Sequence, residues 1–383
     1  MLLSRQLSNS EATLSAHSIC SILPCIYHEV HRSLYNSRMD TTTNQSPEQP
    51  QTERYWLATD AEVTQAASHL GISLTPDNST DLTENFSRVF SFDSGHDGKR
   101  VLKIRAKWMT ERRIKFEHAL ARHLHNCGLP TVVPLGIEND CTWAQVGDLY
   151  CEIAQYVDGR DARQNLADVI LMSEQLGHFH KHSSDINPEL YEPPHFQNQT
   201  EPQYLEPEIR EFCRRVSKNN ADGKGLYLDS QQIHTLCERW EKLSMLYRNH
   251  SNALPQVIRH GDFHPWNLLF SRTEPDQILA VLDLDMAAKG PRIFDISYTI
   301  YFLRNLHPEH GGEEWNTRYS KFIKGYEQAS EQPLTKEEVE VIPLLIECIA
   351  LGFLVRANAQ EAVDEYNNFT NTCNWLLERK YYY

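Results

Sequence analysis

RHGDFHPWNLLF, residues Arg259–Phe270, is the stretch that decides how this chain folds. Between His260 and Asn267 it gathers two histidines, an aspartate and an asparagine, then runs into Leu268, Leu269 and Phe270. Alone it could be a polar turn ahead of a buried strand. The residues that follow argue otherwise. NLLF and ILAVLDLD are short apolar runs separated by SRTEPDQ, a turn-rich connection, and read as a small hairpin. A hairpin brings its outer ends together, so Asp262, Asn267 and Asp283 should face one cavity, with Asp285 just beyond.

Those side chains are hard oxygen donors of the kind Mg²⁺ takes. Phosphoryl transfer needs one carboxylate to orient a hydroxyl, and a carboxamide with a second carboxylate to hold the metal bridging the nucleotide phosphates. The N-terminal half supplies a complement. Lys103 lies in VLKIRA, where strand alternation points it opposite to Leu102 and Ile104. A lysine turned inward from a strand is costly unless paired, and Glu117, central in the helical segment TERRIKFEHALARHLHNCG, is the expected partner. Taken singly, Lys103 also reads as an exposed edge-strand residue and Glu117 as part of a solvated helix face; their joint spacing favours the pair.

VLKI, KFEHALARHL, CEIAQYVDGR, RHGDFHPWNLLF and VLDLDMAAKGPRIFDIS together resemble the aminoglycoside phosphotransferase and choline kinase superfamily, over about residues 80–304. The LDLDMAAKGP and ENFSRVFSF segments resemble especially the type II homoserine kinase and stress-response kinase branches. The resemblance implies an α+β, protein-kinase-like bilobal fold with a β-rich N-lobe and a mostly helical C-lobe. It implies an ATP-dependent kinase that phosphorylates a small-molecule hydroxyl with Mg²⁺. Asp262 then resembles the catalytic base, Asn267 and Asp283 the metal ligands, and Lys103 with Glu117 the phosphate clamp. The connector residues Gln155, Tyr156 and Val157 would meet adenine through their backbone. Asp295 and His260 resemble braces of the catalytic loop, and His264 scaffold rather than base. Trp266, where the family often has glycine, is an expected substrate contact together with Asp285 and Tyr298; Tyr301 and Arg356 are further wall candidates. No G-x-G-x-x-G covers the phosphates, which separates the chain from ordinary protein kinases. A Ser/Thr protein kinase of the stress-response type, or a non-catalytic nucleotide-binding regulator, would share much of this set.

Bulk properties are compatible. The 383 residues can bury a two-lobed core, and a mean hydropathy of −0.55 with no apolar run near about 18 residues excludes a membrane-spanning helix. A net charge of −15 argues against nucleic acid as a partner. Charge is uneven: residues 86–157 are close to neutral, with ten Lys/Arg against eight Asp/Glu, while residues 158–383 carry 23 against 34. Nine scattered cysteines without a C-x-x-C indicate reduced, cytoplasmic usage. Residues 1–54, Ser-rich and then polar, are expected to form a disordered extension, residues 55–157 the N-lobe and residues 158–383 the C-lobe. The N-lobe pattern predicts strands at 85–92, 100–106, TVVPLGI (131–137), TWAQV and DLYCEIAQYV, with a helix at 110–128. Helices are expected at 165–183, 205–219, 230–249, 315–330 and 335–358. His178, His180 and His182 look like a metal cluster, but at helical spacing His180 points away from the other two.

Overall fold

Thr59 starts the first helix, α1 (Asp60–His69), through a capping box: its hydroxyl accepts from the Glu62 amide at 3.3 Å, and the Glu62 carboxylate accepts from the Thr59 amide at 2.7 Å. The computed structural model describes residues 57–83, 87–137, 141–163, 165–194, 202–221, 230–273, 276–305, 312–356 and 362–378. All of them fall in one compact unit, Gln45–Tyr383. The expected extension over residues 1–54 lies outside the described residues.

The N-lobe sheet is antiparallel with order β1-β2-β3-β5-β4, formed by β1 (Ser79–Asp81), β2 (Arg88–Asp93), β3 (Lys99–Ile104), β4 (Ala144–Val146) and β5 (Leu149–Gln155). Alternation sorts the residues. Phe90, Phe92, Leu102, Ile104, Leu149 and Cys151 turn to one face and pack with Val63, Ala66 and Ala67 of α1. Lys103 and Glu152, register partners on β3 and β5, turn to the other, where α2 (Glu111–Asn126) lies under a Thr110 cap. TVVPLGI forms no strand. Pro134 has no amide to donate, and the segment is held by scattered contacts instead: a bridge from Thr131 to Val281, a bond from the Leu135 amide to the Ile153 carbonyl and one from the Ile137 amide to the Cys141 carbonyl.

The C-lobe is built from α3 (Leu166–Ser183), α4 (Pro202–Ala221), α5 (Ser230–His250), α6 (Ile293–Asn305), α7 (Gly312–Ser330), α8 (Lys336–Arg356) and α9 (Ala362–Glu378). Helix α8 is apolar nearly all round, as a helix enclosed by others must be. Gly177 lets α3 approach α7: a Cβ there would meet Ala329 Cβ at 2.7 Å. Two hairpin-like pairs lie among the helices, β6 (Gln256–Arg259) with β9 (Ala288–Pro291), and β7 (Leu268–Phe270) with β8 (Ile278–Val281). The second is the hairpin expected from NLLF and ILAV. The connector between lobes is stitched to it by reciprocal 2.8 Å bonds between Arg160 and Phe270. Arg160 is then held by a two-oxygen contact to Asp168, at 2.8 and 2.9 Å, and by Asp276 at 2.8 Å. The α+β bilobal arrangement is the expected one.

Candidate active site

The loop between β6 and β7 is fixed from behind. The Asp295 carboxylate, fully buried on α6, accepts from the His260 amide at 2.7 Å, the Gly261 amide at 3.0 Å and His180 Nε2 at 3.0 Å. His180 Nδ1 in turn meets the Tyr326 hydroxyl at 2.9 Å. His180 is thus buried, while His178 and His182 stack together on the outer side of the same helix. Gly261 has φ +82°, and a Cβ there would run into the Met286 carbonyl; the HGD turn closes only with glycine at this position. His260 Nε2 donates to the Leu282 carbonyl at 2.9 Å, and its Nδ1 accepts from the Asp262 amide at 3.3 Å. Burial pushes the imidazole below its usual pKa, so it stands neutral with its proton on Nε2. Both expected braces, Asp295 and His260, hold the loop.

That frame aims Asp262. Its Oδ1 accepts from the Tyr298 hydroxyl at 2.9 Å, and its Oδ2 accepts from Asn267 Nδ2 at 3.2 Å and lies 3.4 Å from His264 Nε2. Burial opposes the charge, but His264 and Tyr298 outweigh it and hold the carboxyl at about 2. Asn267 Nδ2 also donates to the Asp262 carbonyl at 2.8 Å, which turns the amide oxygen of Asn267 the other way. The Leu282 amide donates to the Asn267 carbonyl at 2.9 Å and so brings the next residue, Asp283, beside it.

Asp283 has left-handed backbone, φ 59° and ψ 78°, an unusual state for a non-glycine residue and one concentrated at functional sites. It lies two residues past the end of β8, with Asp285 in the following 3-10 turn, Leu284–Met286. Lys103 Nζ reaches across from the N-lobe to Asp283 Oδ1 at 3.2 Å and Asp285 Oδ1 at 2.7 Å. Burial opposes its charge, yet the two carboxylates raise the Lys103 pKa above its ordinary value. Burial and the Asp285 charge push the Asp283 carboxyl up. Asp285 is also buried, but Arg105 and Lys103 hold its carboxyl well below the usual range.

The expected ion pair between Lys103 and Glu117 is not formed. Arg105, two residues along the same face, takes the Glu117 carboxylate instead, and also contacts Asp285 at 2.9 Å and Glu152 at 3.1 Å. Arg113 completes Glu117 at 2.6 Å and donates to the carbonyls of Leu284 and Asp285 at 3.1 and 3.0 Å. Glu152 accepts from His118 Nε2 at 2.6 Å, and His118 Nδ1 meets Thr142 Oγ1 at 2.7 Å. Helix α2 is therefore tied to the sheet and to the Asp285 turn by arginines, and Lys103 is left to the carboxylates at the mouth. Arg105 carried a sequence signal, since i and i+2 on a strand share a face. Glu152, His118 and Arg113 carried none without the strand register.

Asp285, expected as a substrate contact, is 6 % exposed and belongs to this ionic network. Tyr298, expected likewise, is 2 % exposed and stands behind Asp262. Tyr301 is buried and stacked on Phe353 at 5.2 Å, and Arg356 meets Glu208 at 2.5 Å. Trp266 is half-buried, packed edge-on against His264 at 5.4 Å and Phe302 at 5.7 Å. At the connector, the Tyr156 amide and the Gln155 side chain both donate to the Lys99 carbonyl at 3.1 Å, and Lys99 Nζ sits 4.1 Å from the Tyr156 ring centre. Among the described residues the Val157 amide has no such partner.

Among the described residues no group of three or more His, Cys, Asp or Glu side chains is arranged to hold a metal. The amide oxygen of Asn267 and Oδ2 of Asp283 have no hydrogen-bond partner among them. A carboxamide oxygen and a carboxylate oxygen are donor types that fit Mg²⁺, which takes one or two protein oxygens and completes its shell with phosphates and water.

Two lobes joined by one connector, with an Asp–Asn loop under a strand lysine, define a phosphotransferase of the protein-kinase-like class. Residues 81–331 match the phosphotransferase enzyme family, and the chain belongs to it; its members move phosphate from ATP to a hydroxyl. No curated protein sequence matches the chain significantly. Among solved structures the fold is similar to the amicoumacin kinase hAmiN, solved in complex with AMP-PNP, Ca²⁺ and Ami (TM-score 0.61, 17% identity, 84% of this chain and 94% of that one). It is also similar to a microcompartment-associated aminopropanol kinase (TM-score 0.62, 14% identity, 84% and 97%). A third is an aminoglycoside phosphotransferase from Alicyclobacillus acidocaldarius (TM-score 0.56, 12% identity, 89% and 96%). At such identities the likeness is one of fold.

Proposed function

We propose that the chain transfers the γ-phosphoryl group of ATP to a hydroxyl of a small molecule, with Mg²⁺ held by Asn267 and Asp283. When bound, the metal would neutralise charge on the nucleotide phosphates. The observation that carries the reading is a chain of contacts: Asn267 donates to Asp262 at 3.2 Å, the Leu282 amide next to Asp283 bonds to the Asn267 carbonyl at 2.9 Å, and Lys103 reaches from the N-lobe to Asp283 at 3.2 Å.

Asp262 receives the acceptor hydroxyl. With its carboxyl held at about 2 it is fully ionised at neutral pH and a weak base. Its main contribution is orientation of the hydroxyl for in-line attack, and the proton moves to it only as the new P–O bond forms. The hydrogen bonds from Tyr298 and Asn267 fix the plane of the carboxylate and so the direction in which it accepts. Lys103 presents an ammonium to the phosphates, with Asp283 and Asp285 keeping it protonated. Gln155 and Val157 offer backbone groups to adenine, while the Tyr156 amide is committed to Lys99. Trp266 shapes the acceptor side. The solved relatives named after aminopropanol, amicoumacin and aminoglycosides make amine-bearing alcohols the first acceptors to try.

The test is a panel of amino alcohols, amino acids, sugars and aminoglycosides in an assay coupled to ADP release, run with the wild type and Asp262→Asn. An acceptor-dependent signal that vanishes in the variant supports the reading. Labelled phosphate appearing on protein, with none on any metabolite, would replace it with the protein-kinase alternative.

A further inference from the structure

Outside the cleft, Cys213 on α4 and Cys237 on α5 face each other with their sulfurs 3.0 Å apart. A disulfide bond is about 2.05 Å long, so about 1 Å of approach separates the two thiols from a bond. Both side chains are half-buried, open enough for a small reagent yet held by their helices. The helices are anchored to a common neighbour. On α4, Glu208 pairs with Arg356 at 2.5 Å and Arg215 donates to the Val355 carbonyl at 3.2 Å; on α5, Arg239 pairs with Glu347. All three partners lie on α8, so the sulfurs are brought together by tertiary packing.

We propose that Cys213 and Cys237 are a dithiol modification site that reacts with a low-molecular-weight disulfide and closes to a Cys213–Cys237 disulfide tying α4 to α5. The Cys237 thiolate attacks one sulfur of the reagent, forming a mixed disulfide and releasing one thiolate. Cys213 then loses its proton to solvent and attacks the Cys237 sulfur, expelling the second thiolate. The two protein thiols give up two electrons and two protons, and one reagent disulfide is reduced to two thiols. Cys213 suits the resolving step. Burial, and the hydrogen bond with Cys237, push its thiol up to about 12, so it reacts through proximity rather than as a standing thiolate. Closing a loop 24 residues apart in sequence restricts the unfolded chain, and raises the melting temperature by on the order of 5 °C.

The full-length reduced protein is treated with oxidised glutathione, quenched with N-ethylmaleimide, digested and mapped by mass spectrometry. Cys127, exposed just past the end of α2, is the internal control for reagent access. The expected result is a peptide pair linked through Cys213 and Cys237, cleaved by dithiothreitol, with a melting temperature that rises on oxidation and falls on reduction. In Cys213→Ser, glutathione is expected to remain on Cys237. Cys237→Ser provides the reciprocal check should the first variant fold poorly. If Cys127 takes up glutathione while Cys213 and Cys237 are recovered as separate maleimide adducts, or carry glutathione without cross-linking, the proposal is overturned.

Discussion

Replacing Glu117 separates two views of this cleft. In the arrangement expected from sequence, Glu117 works through Lys103; in the structure it works through Arg105. Arg105 and Glu117 each have side chains only 3% exposed, and breaking a buried pair by removing one partner costs about 3–5 kcal/mol. Arg105 also serves Asp285 and Glu152, so Arg105→Met would take a partner from three buried carboxylates at once and consume much of a stability of about 5–15 kcal/mol. The gentler Arg105→Lys is the useful variant. Two double-mutant cycles in urea unfolding settle the question, one from Arg105→Lys with Glu117→Gln, the other from Lys103→Met with Glu117→Gln. Arg113 also binds Glu117, but it is present at every corner of both cycles and cancels. The expected coupling is about 1–3 kcal/mol for the arginine pair and no more than about 0.5 kcal/mol for the lysine pair. A coupling larger for Lys103 than for Arg105 would refute the assignment.

Further outcomes follow from the same contacts. Tyr298→Phe removes the donor to Asp262 Oδ1; a hydrogen bond to a charged group contributes about 1.5–3 kcal/mol, so kcat should fall by about tenfold or more while the KM for ATP holds. An unchanged kcat would show that Tyr298 does not position the carboxylate. Glu152 is buried, but Arg105 and His118 hold its carboxyl down at about 2, against an ordinary value of 4.5. A depressed carboxyl contributes stability that is present above the unfolded value and is lost as pH falls through the folded one. The wild type should therefore lose stability between pH 4.5 and about 2, and Glu152→Gln should be less stable at pH 6 with a flatter acid limb; parallel limbs in urea titrations would contradict this.

The hairpin that carries the candidate site was legible because it is local. Asp262, Asn267 and Asp283 lie within 22 residues and are joined by a short turn, so periodicity alone places them at one end. The inward turn of Lys103 was legible for the same reason. Its partner was not, because pairing depends on which strand neighbours β3 and at what register. That register places Glu152 directly beside Lys103, and Arg105 rather than Lys103 reaches Glu117. TVVPLGI reads as a strand by composition, but Pro134 removes the amide that sheet pairing needs. The role of Tyr298 had a signal: it follows Asp295 by one helical turn, and residues three apart on a helix share a face. A face committed to bracing the loop from Asp295 is also the face from which Tyr298 meets Asp262.

In the proposed reaction Asp262 orients the hydroxyl that receives the phosphoryl group. The most direct measurement is formation of the phosphate ester from γ-labelled ATP, compared between the wild type and Asp262→Asn at equal nucleotide occupancy, with occupancy set by nucleotide-induced thermal shift. The variant should bind ATP as the wild type does but form ester slower by about 10²–10⁴-fold. Ester formation at the wild-type rate with ATP bound would contradict that role of Asp262.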